Sequence, residues 1–328
     1  MVATELPATG RPYAVVTPSD SAKIDDVSAA RIIDLYKAHG AILLRGFDVD
    51  LDGFRRFASQ FCVSSVFNES PDRKLLDDAH NIQSVNGGSA AFPLHPELSR
   101  EPWKPDACFF CCIVPPREQG ATTICDGVAL ANALPPGLRT ALVSRRLAYV
   151  QPATPEVLDF WLGTSNPSDA QLASPPPQCP YRFVRTGETV VRWFSRPALH
   201  RPMFTEALAF GNFLLFARYY LGRTGFPIFD DGNVVPDTWL EAIKAAGDHL
   251  TVPIQWQRGD LLMLDNTRFL HGRTAIVDAD QRLIASYFGY LDFAVPNAEE
   301  PADPLWRKAA FRPPQPGQPI GRTGAGRP

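Results

Sequence analysis

Gly259-Asp260-Leu261-Leu262-Met263-Leu264-Asp265-Asn266-Thr267-Arg268-Phe269-Leu270-His271-Gly272-Arg273 is the stretch that decides the fold. A Gly-Asp turn opens it, and an apolar run too short for a helix follows. Such a run between turn signals reads as a buried strand. We expect strands at 249–257, 260–266, 273–278 and 281–291, with 260–266 carrying the chain across a barrel to its mouth, where His271 stands. In the last strand, alternation puts Arg282, Ile284 and Ser286 on one face. A guanidinium turned into a barrel is costly unless an anion meets it; the alternative is a surface ion pair.

Upstream, Ala107 to Val114 reads as a fully buried strand, which makes Cys108, Cys111 and Cys112 core residues rather than a metal or redox motif. No second cysteine pair follows at zinc-like spacing. Cys62, Cys125 and Cys179 are isolated. Apolar spacing and a glycine stop predict a helix over 25–40, then a strand at 41–47 and a helix over 51–61. Residues 64–94 are polar and centred on Asn86-Gly87-Gly88, as expected of an active-site lid. Helices are predicted near 128–134, 138–144 and 236–246, and in part of 205–221; the Pro-rich 174–178 is a surface loop. The expected fold is α+β and mainly β: a double-stranded β-helix (a jelly-roll, cupin-like core) decorated with helices. Residues 1–311 form the expected single domain, and 312–328, about half proline and glycine, a flexible tail.

The chain has 328 residues, 20% of them charged, with a net charge of −3. That balance argues against a nucleic-acid partner or an acidic membrane surface. No apolar run is long enough to span a bilayer, and the first residues lack the regions of a signal peptide, so the expected location is the cytoplasm. The expected partner is a small-molecule substrate, and a homo-oligomer remains open.

Of the six histidines, only His95 has an acid two positions on, Glu97. In an extended segment the two side chains point the same way and can share an ion. By itself the triplet is better read as a satisfied surface or core histidine beside a solvated acid. With His271 the set becomes two imidazoles and a carboxylate, which can hold one face of an Fe(II) ion and leave the other positions open. Thr122 and Arg282 offer a hydroxyl and a guanidinium fork to a dicarboxylate.

These residues resemble the taurine dioxygenase-like (TauD/TfdA) family of Fe(II)/2-oxoglutarate-dependent oxygenases over roughly 40–292. His95 and Glu97 match its H-x-[DE] pair, and His271 its distal histidine in a G-D-x-x-x-x-D-N…H-G-R setting. Thr122 matches the threonine of a Gly-Gly-x-Thr turn, with Gln119 in place of the first glycine, and Arg282 the arginine on the following strand. Asp126 matches a frequent structural acid. Asp231-Gly232-Asn233-Val234-Val235-Pro236 and Asp265-Asn266 resemble the natural-product branch, whose members often hydroxylate amino acids, free or on a carrier protein.

The resemblance implies that 2-oxoglutarate chelates the iron while Thr122 and Arg282 hold its distal carboxylate. O2 then enters, succinate and CO2 leave, and a C–H bond is hydroxylated. Glu97 argues against halogenation, because halogenating relatives replace this carboxylate with a small residue. Desaturation, epoxidation or cyclisation would share the same first steps, and a non-catalytic small-molecule-binding barrel would be expected to have lost a ligand. Asn81, Gln83, Ser84 and Asn86, ahead of the metal pair, are candidate substrate residues. So are Arg192 to Arg196, above all Arg196, and Arg273.

Overall fold

The computed structural model describes residues 2–19, 22–295 and 297–314. Two facing sheets form its centre. The larger runs in the order Val2–Glu5, Ala14–Pro18, Ala41–Leu44, Leu261–Asp265, Ala107–Val114, Leu283–Leu291, Ile82–Ser84 and Leu75–Asp77, with Cys62–Ser65 also paired to Leu283–Leu291. The smaller holds Val252–Ile254, Thr122–Asp126, Phe269–Arg273 and Phe92–His95. The opening stretch therefore supplies one strand to each sheet, which is the crossing a double-stranded β-helix requires. A third sheet, of Arg182–Thr186, Thr189–Pro197, Arg146–Pro152 and Ile228–Phe229, lies beside this core.

Alternation along Ala107–Val114 explains its unbroken hydrophobicity. Cys108, Phe110 and Cys112 pack between the sheets with Ile124, Ile254 and Leu262. Phe109 and Cys111 face the other way, into a cluster with the helices Ala29–His39 and Leu51–Ser59. All three cysteines are free and buried, and burial pushes the Cys112 thiol up to about 12, so they behave as small hydrophobes. Ser28 caps the first helix by accepting the Arg31 N–H, and Gly40, in the left-handed region at φ 72°, ends it. Asp50 caps the second, which buries Phe54, Phe57 and Ala58.

Several expected boundaries move. The strand placed at 273–278 is Phe269–Arg273, so His271 lies inside a strand and not beyond one. Gly272, normally a punctuation signal, is there because a Cβ would come within 2.5 Å of the Phe92 carbonyl oxygen on the adjacent strand. The strand at 249–257 shrinks to Val252–Ile254, and Arg282 sits just ahead of Leu283–Leu291. Within 205–221 only Leu214–Tyr219 is helical, and Ala209–Phe210 is a strand. The stretch 64–94 is not one loop: Leu75–Asp77 and Ile82–Ser84 extend the large sheet, and Phe92–His95 belongs to the small one. Of the 312–328 tail, 315–328 lie outside the described residues.

Candidate metal centre

Antiparallel pairing of Phe92–His95 with Phe269–Arg273 sets His95 directly opposite His271, with ring centroids 4.6 Å apart. Glu97 follows two residues past His95, and its carboxylate Oε2 lies 3.7 Å from His271 Nε2. One ligand atom from each of His95, Glu97 and His271 falls within 4.8 Å of the others, and all three residues are buried. The Glu97 backbone is pinned by Asn266. Asn266 Oδ1 accepts the Glu97 N–H at 2.8 Å, while its Nδ2 donates to the carbonyls of Glu97 at 3.1 Å and Pro105 at 2.8 Å. Asn266 thus holds the turn that carries the acid.

The donors are electrostatically ready for a cation. His95 Nδ1 lies 2.8 Å from the Pro93 carbonyl, which fixes that nitrogen as the donor and leaves Nε2 as a lone pair. Burial, and then the nearness of His271, push the His95 imidazolium down to about 3, so the ring is neutral. Burial alone would raise the Glu97 carboxyl, but Arg73 and the two histidines outweigh it and hold the group well below the usual carboxylate range. Arg73 Nη2 donates to Oε2 at 3.0 Å, and Asn68 Nδ2 donates to Oε1 at 2.5 Å. His271 Nδ1 is buried with no hydrogen-bond partner among the described residues, and packing holds its ring, against Phe110 at a centroid distance of 5.2 Å. Two imidazoles and an ionised carboxylate on one side of a cavity suit a divalent metal of borderline softness.

Thr122 stands opposite Arg273 on the neighbouring strand and is buried. Its Oγ1 accepts from Trp256 Nε1 at 2.9 Å and from Arg282 Nη2 at 3.3 Å. Arg282 Nε donates to the Gly120 carbonyl at 2.9 Å. Gly120 is at φ 70°, and a Cβ there would crowd Ile276 and the Arg282 stem. Burial, and then the charge of Arg273, push Arg282 down to about 10. Neither guanidinium has a carboxylate partner among the described residues. A cavity of about 320 Å³ opens over the triad and is lined by Thr122, Arg282, Arg273 and Arg73 and by an aromatic wall that includes Phe216 and Tyr220.

The family model for "Taurine catabolism dioxygenase TauD, TfdA family" matches residues 4–287. The chain belongs to the TauD/TfdA family. It is therefore an oxidoreductase, an Fe(II)/2-oxoglutarate-dependent oxygenase whose cofactors are Fe(II), 2-oxoglutarate and O2. Solved structures share the fold of this TauD/TfdA chain. PvcB, an Fe, alpha-ketoglutarate dependent oxygenase from an isonitrile synthetic pathway, is 15% identical, with a TM-score of 0.59 over 90% of this chain and 94% of its own. A taurine dioxygenase from Burkholderia xenovorans is 15% identical, with a TM-score of 0.58 over 90% and 91%. AAD-2, solved with Mn(II) and N-oxalylglycine, is 12% identical, with a TM-score of 0.55 over 90% and 99%. No curated protein matches by sequence.

The expected substrate residues of this TauD/TfdA chain separate. Asn86 and Arg273 line the cavity. The terminal nitrogens of Arg273, however, donate to the carbonyls of Asn86 (2.7 Å), Gly88 (3.0 Å) and Ala90 (2.7 Å), so the side chain fastens that loop. Asn81 and Gln83 are not in the cavity wall. Asn81 is a turn residue at φ 57° that donates to Ser65 Oγ, and Gln83 is buried in a reciprocal pair with the Asn68 backbone. Ser84 is buried and accepts the Lys74 N–H. Arg196 faces a different cavity, of about 420 Å³, and its Nη2 caps the Glu101 and Pro102 carbonyls, because its strand lies behind that segment.

Asn68, Arg73 and Trp256 were missed. The available signal was charge: a buried ionised Glu97 demands a cation, and the only lysine or arginine residues in 64–94 are Arg73 and Lys74.

Proposed function

We propose that this oxygenase hydroxylates an unactivated C–H bond of an amino acid or amino-acid-derived natural-product intermediate, free or bound to a carrier protein. The observation that carries the proposal is the two-sided cavity. Phe92, Phe213, Phe216 and Tyr220 offer one wall to a hydrocarbon or aromatic side chain. Asn86 and Arg100 stand on the polar side, and Arg100 suits a carboxylate.

In this assignment His95, Glu97 and His271 hold the iron, and Thr122 with Arg282 takes the distal carboxylate of 2-oxoglutarate. The bound iron and keto acid supply the oxidising chemistry, with succinate and CO2 as by-products. The protein's own work is placement. Arg282, part-buried and without an acid partner among the described residues, waits for an anion; Thr122 is oriented by Trp256; and the aromatic wall keeps water from the C–H bond to be attacked. Asn86 and Arg273 are the proposed substrate neighbours. Arg273 positions the loop that carries Asn86.

Among the described residues no helix is long and apolar enough to cross a membrane. Six free cysteines support a reducing compartment, and we place the reaction in the cytoplasm.

The test is an anaerobic titration of Fe(II) and 2-oxoglutarate followed by visible absorption, and then a screen of amino acids and carrier-bound acyl groups. A charge-transfer band lost in His271→Ala, with a product one oxygen atom heavier, supports the proposal. A product lighter by two hydrogens would instead mean desaturation or cyclisation. Absence of the band would remove the metal and keto-acid assignment.

A further inference from the structure

Glutamate has one more torsion than aspartate, the other acid that an H-x-[DE] pattern admits, so the carboxylate of Glu97 needs more fixing. A carboxylate can also give a cation one oxygen or both. With two imidazoles and a chelating keto acid in place, a second oxygen from Glu97 would fill the position that O2 needs. We propose that Asn68 and Arg73 form a clamp that presents Glu97 to the metal through Oε2 alone, which rests on the triad being the iron site.

The two oxygens of Glu97 are held differently. Oε2 is on the imidazole side, and the 3.0 Å bond from Arg73 Nη2 leaves it a lone pair for the metal. Oε1 is tied by Asn68 Nδ2 at 2.5 Å. The amide of Asn68 cannot be turned over, because its Oδ1 already accepts the Ser70 N–H at 2.8 Å, so only a donor is left for Glu97.

Each half of the clamp is itself braced. Gln83 accepts the Asn68 N–H at 3.1 Å and donates to the Asn68 carbonyl at 2.9 Å. Arg73 donates to Ser286 Oγ at 3.0 Å and lies over the Phe288 ring, 5.0 Å from its centroid. Asn68, Gln83 and Ser286 are buried, as are the side chains of Arg73 and Glu97. Turning Oε1 toward the imidazoles would leave a buried amide donor unpaired. Asn68 and Arg73 are therefore positioning residues, and the segment that carries them governs the coordination number of the metal.

The experiment uses the full chain loaded anaerobically with Fe(II) and 2-oxoglutarate and titrated with nitric oxide, an O2 surrogate. The iron–nitrosyl signal is read by electron paramagnetic resonance. Asn68→Leu, which keeps the branched shape but removes the donor to Glu97 and the acceptor of the Ser70 N–H, should bind Fe(II) as the native protein does but bind nitric oxide about tenfold or more weakly. The Co(II)-loaded variant should show the same change in its visible absorption. Asn68→Ala tests the same bond should the leucine variant not fold. Unchanged nitric oxide affinity overturns the proposal, and so does loss of Fe(II) binding, since Asn68 would then support the whole site rather than select an oxygen. Failure of the native protein to give a nitrosyl signal would instead overturn the iron assignment itself.

Discussion

Arg282, part-buried, and Asp265, buried, carry charges that ask for different things. Arg282 has no acid partner among the described residues, so a ligand anion is its natural counter-ion. Arg282→Met should weaken 2-oxoglutarate by about 2–5 kcal/mol, the usual effect of truncating one side of a buried charge pair. The charge-transfer titration reads this directly, and equal affinity would remove Arg282 from the co-substrate site. Asp265 is held by Thr267, whose N–H and O–H both donate to its Oδ1. Burial outweighs those bonds and raises its carboxyl to about 6. The folded state therefore keeps a proton that the unfolded chain has already released, and Asp265 costs stability as pH rises from about 4 to about 6. Asp265→Asn should flatten that part of the melting-temperature profile, and an unaltered slope would assign the pH dependence elsewhere.

The element that matters most is the pair of strands carrying the two histidines. Their spacing depends on Gly272, where a Cβ would meet the Phe92 oxygen at 2.5 Å and Thr123 Oγ1 at 2.9 Å. Gly272→Ala should force the strands apart, move His95 away from His271 and lower metal affinity about 10–100-fold, the range seen when support for metal ligands is lost. A Mn(II) titration checks this, and native affinity would show that the pair tolerates the methyl group. A single sequence cannot reveal such a constraint. Glycine within an apolar run signals a turn as readily as a close approach, which is why the strand was expected to begin at Arg273. By contrast, Leu261–Asp265 was legible, since a short apolar run between turn signals leaves few alternatives.

At the scale of the whole molecule, the segment between Cys62–Ser65 and Phe92–His95 closes one side of the cavity. It is fastened from two directions, by Arg73 on Glu97 and by Arg273 on the carbonyls of residues 86, 88 and 90. Arg273→Ala should raise amide hydrogen exchange across 86–91 while leaving the central strand 107–114 protected. It should also raise KM for the substrate with little change in 2-oxoglutarate binding. If exchange at 86–91 stayed at the native level, Arg273 would return to the role of a direct substrate contact. The strands within this stretch were not legible, because composition marks it as polar and turn-rich but does not show which of its backbone groups join a neighbouring sheet.

Sequence by itself determined the layered β core, the buried cysteines and the five residues His95, Glu97, Thr122, His271 and Arg282 that meet around one cavity. The core and the cysteines were legible because apolar alternation selects a face. The five site residues were legible through their resemblance to the TauD/TfdA motifs, since each alone fits a bland structural role as well. Only the tertiary structure decided which of the remaining polar residues serve the site. Asn68 and Arg73 reach Glu97 across 29 and 24 residues of chain, and Asn266 across 169. Gln83 and Arg196, similar in type, satisfy backbone groups instead. A hydrogen bond extends only about 3 Å, and nothing in local sequence states which distant donors will come that close.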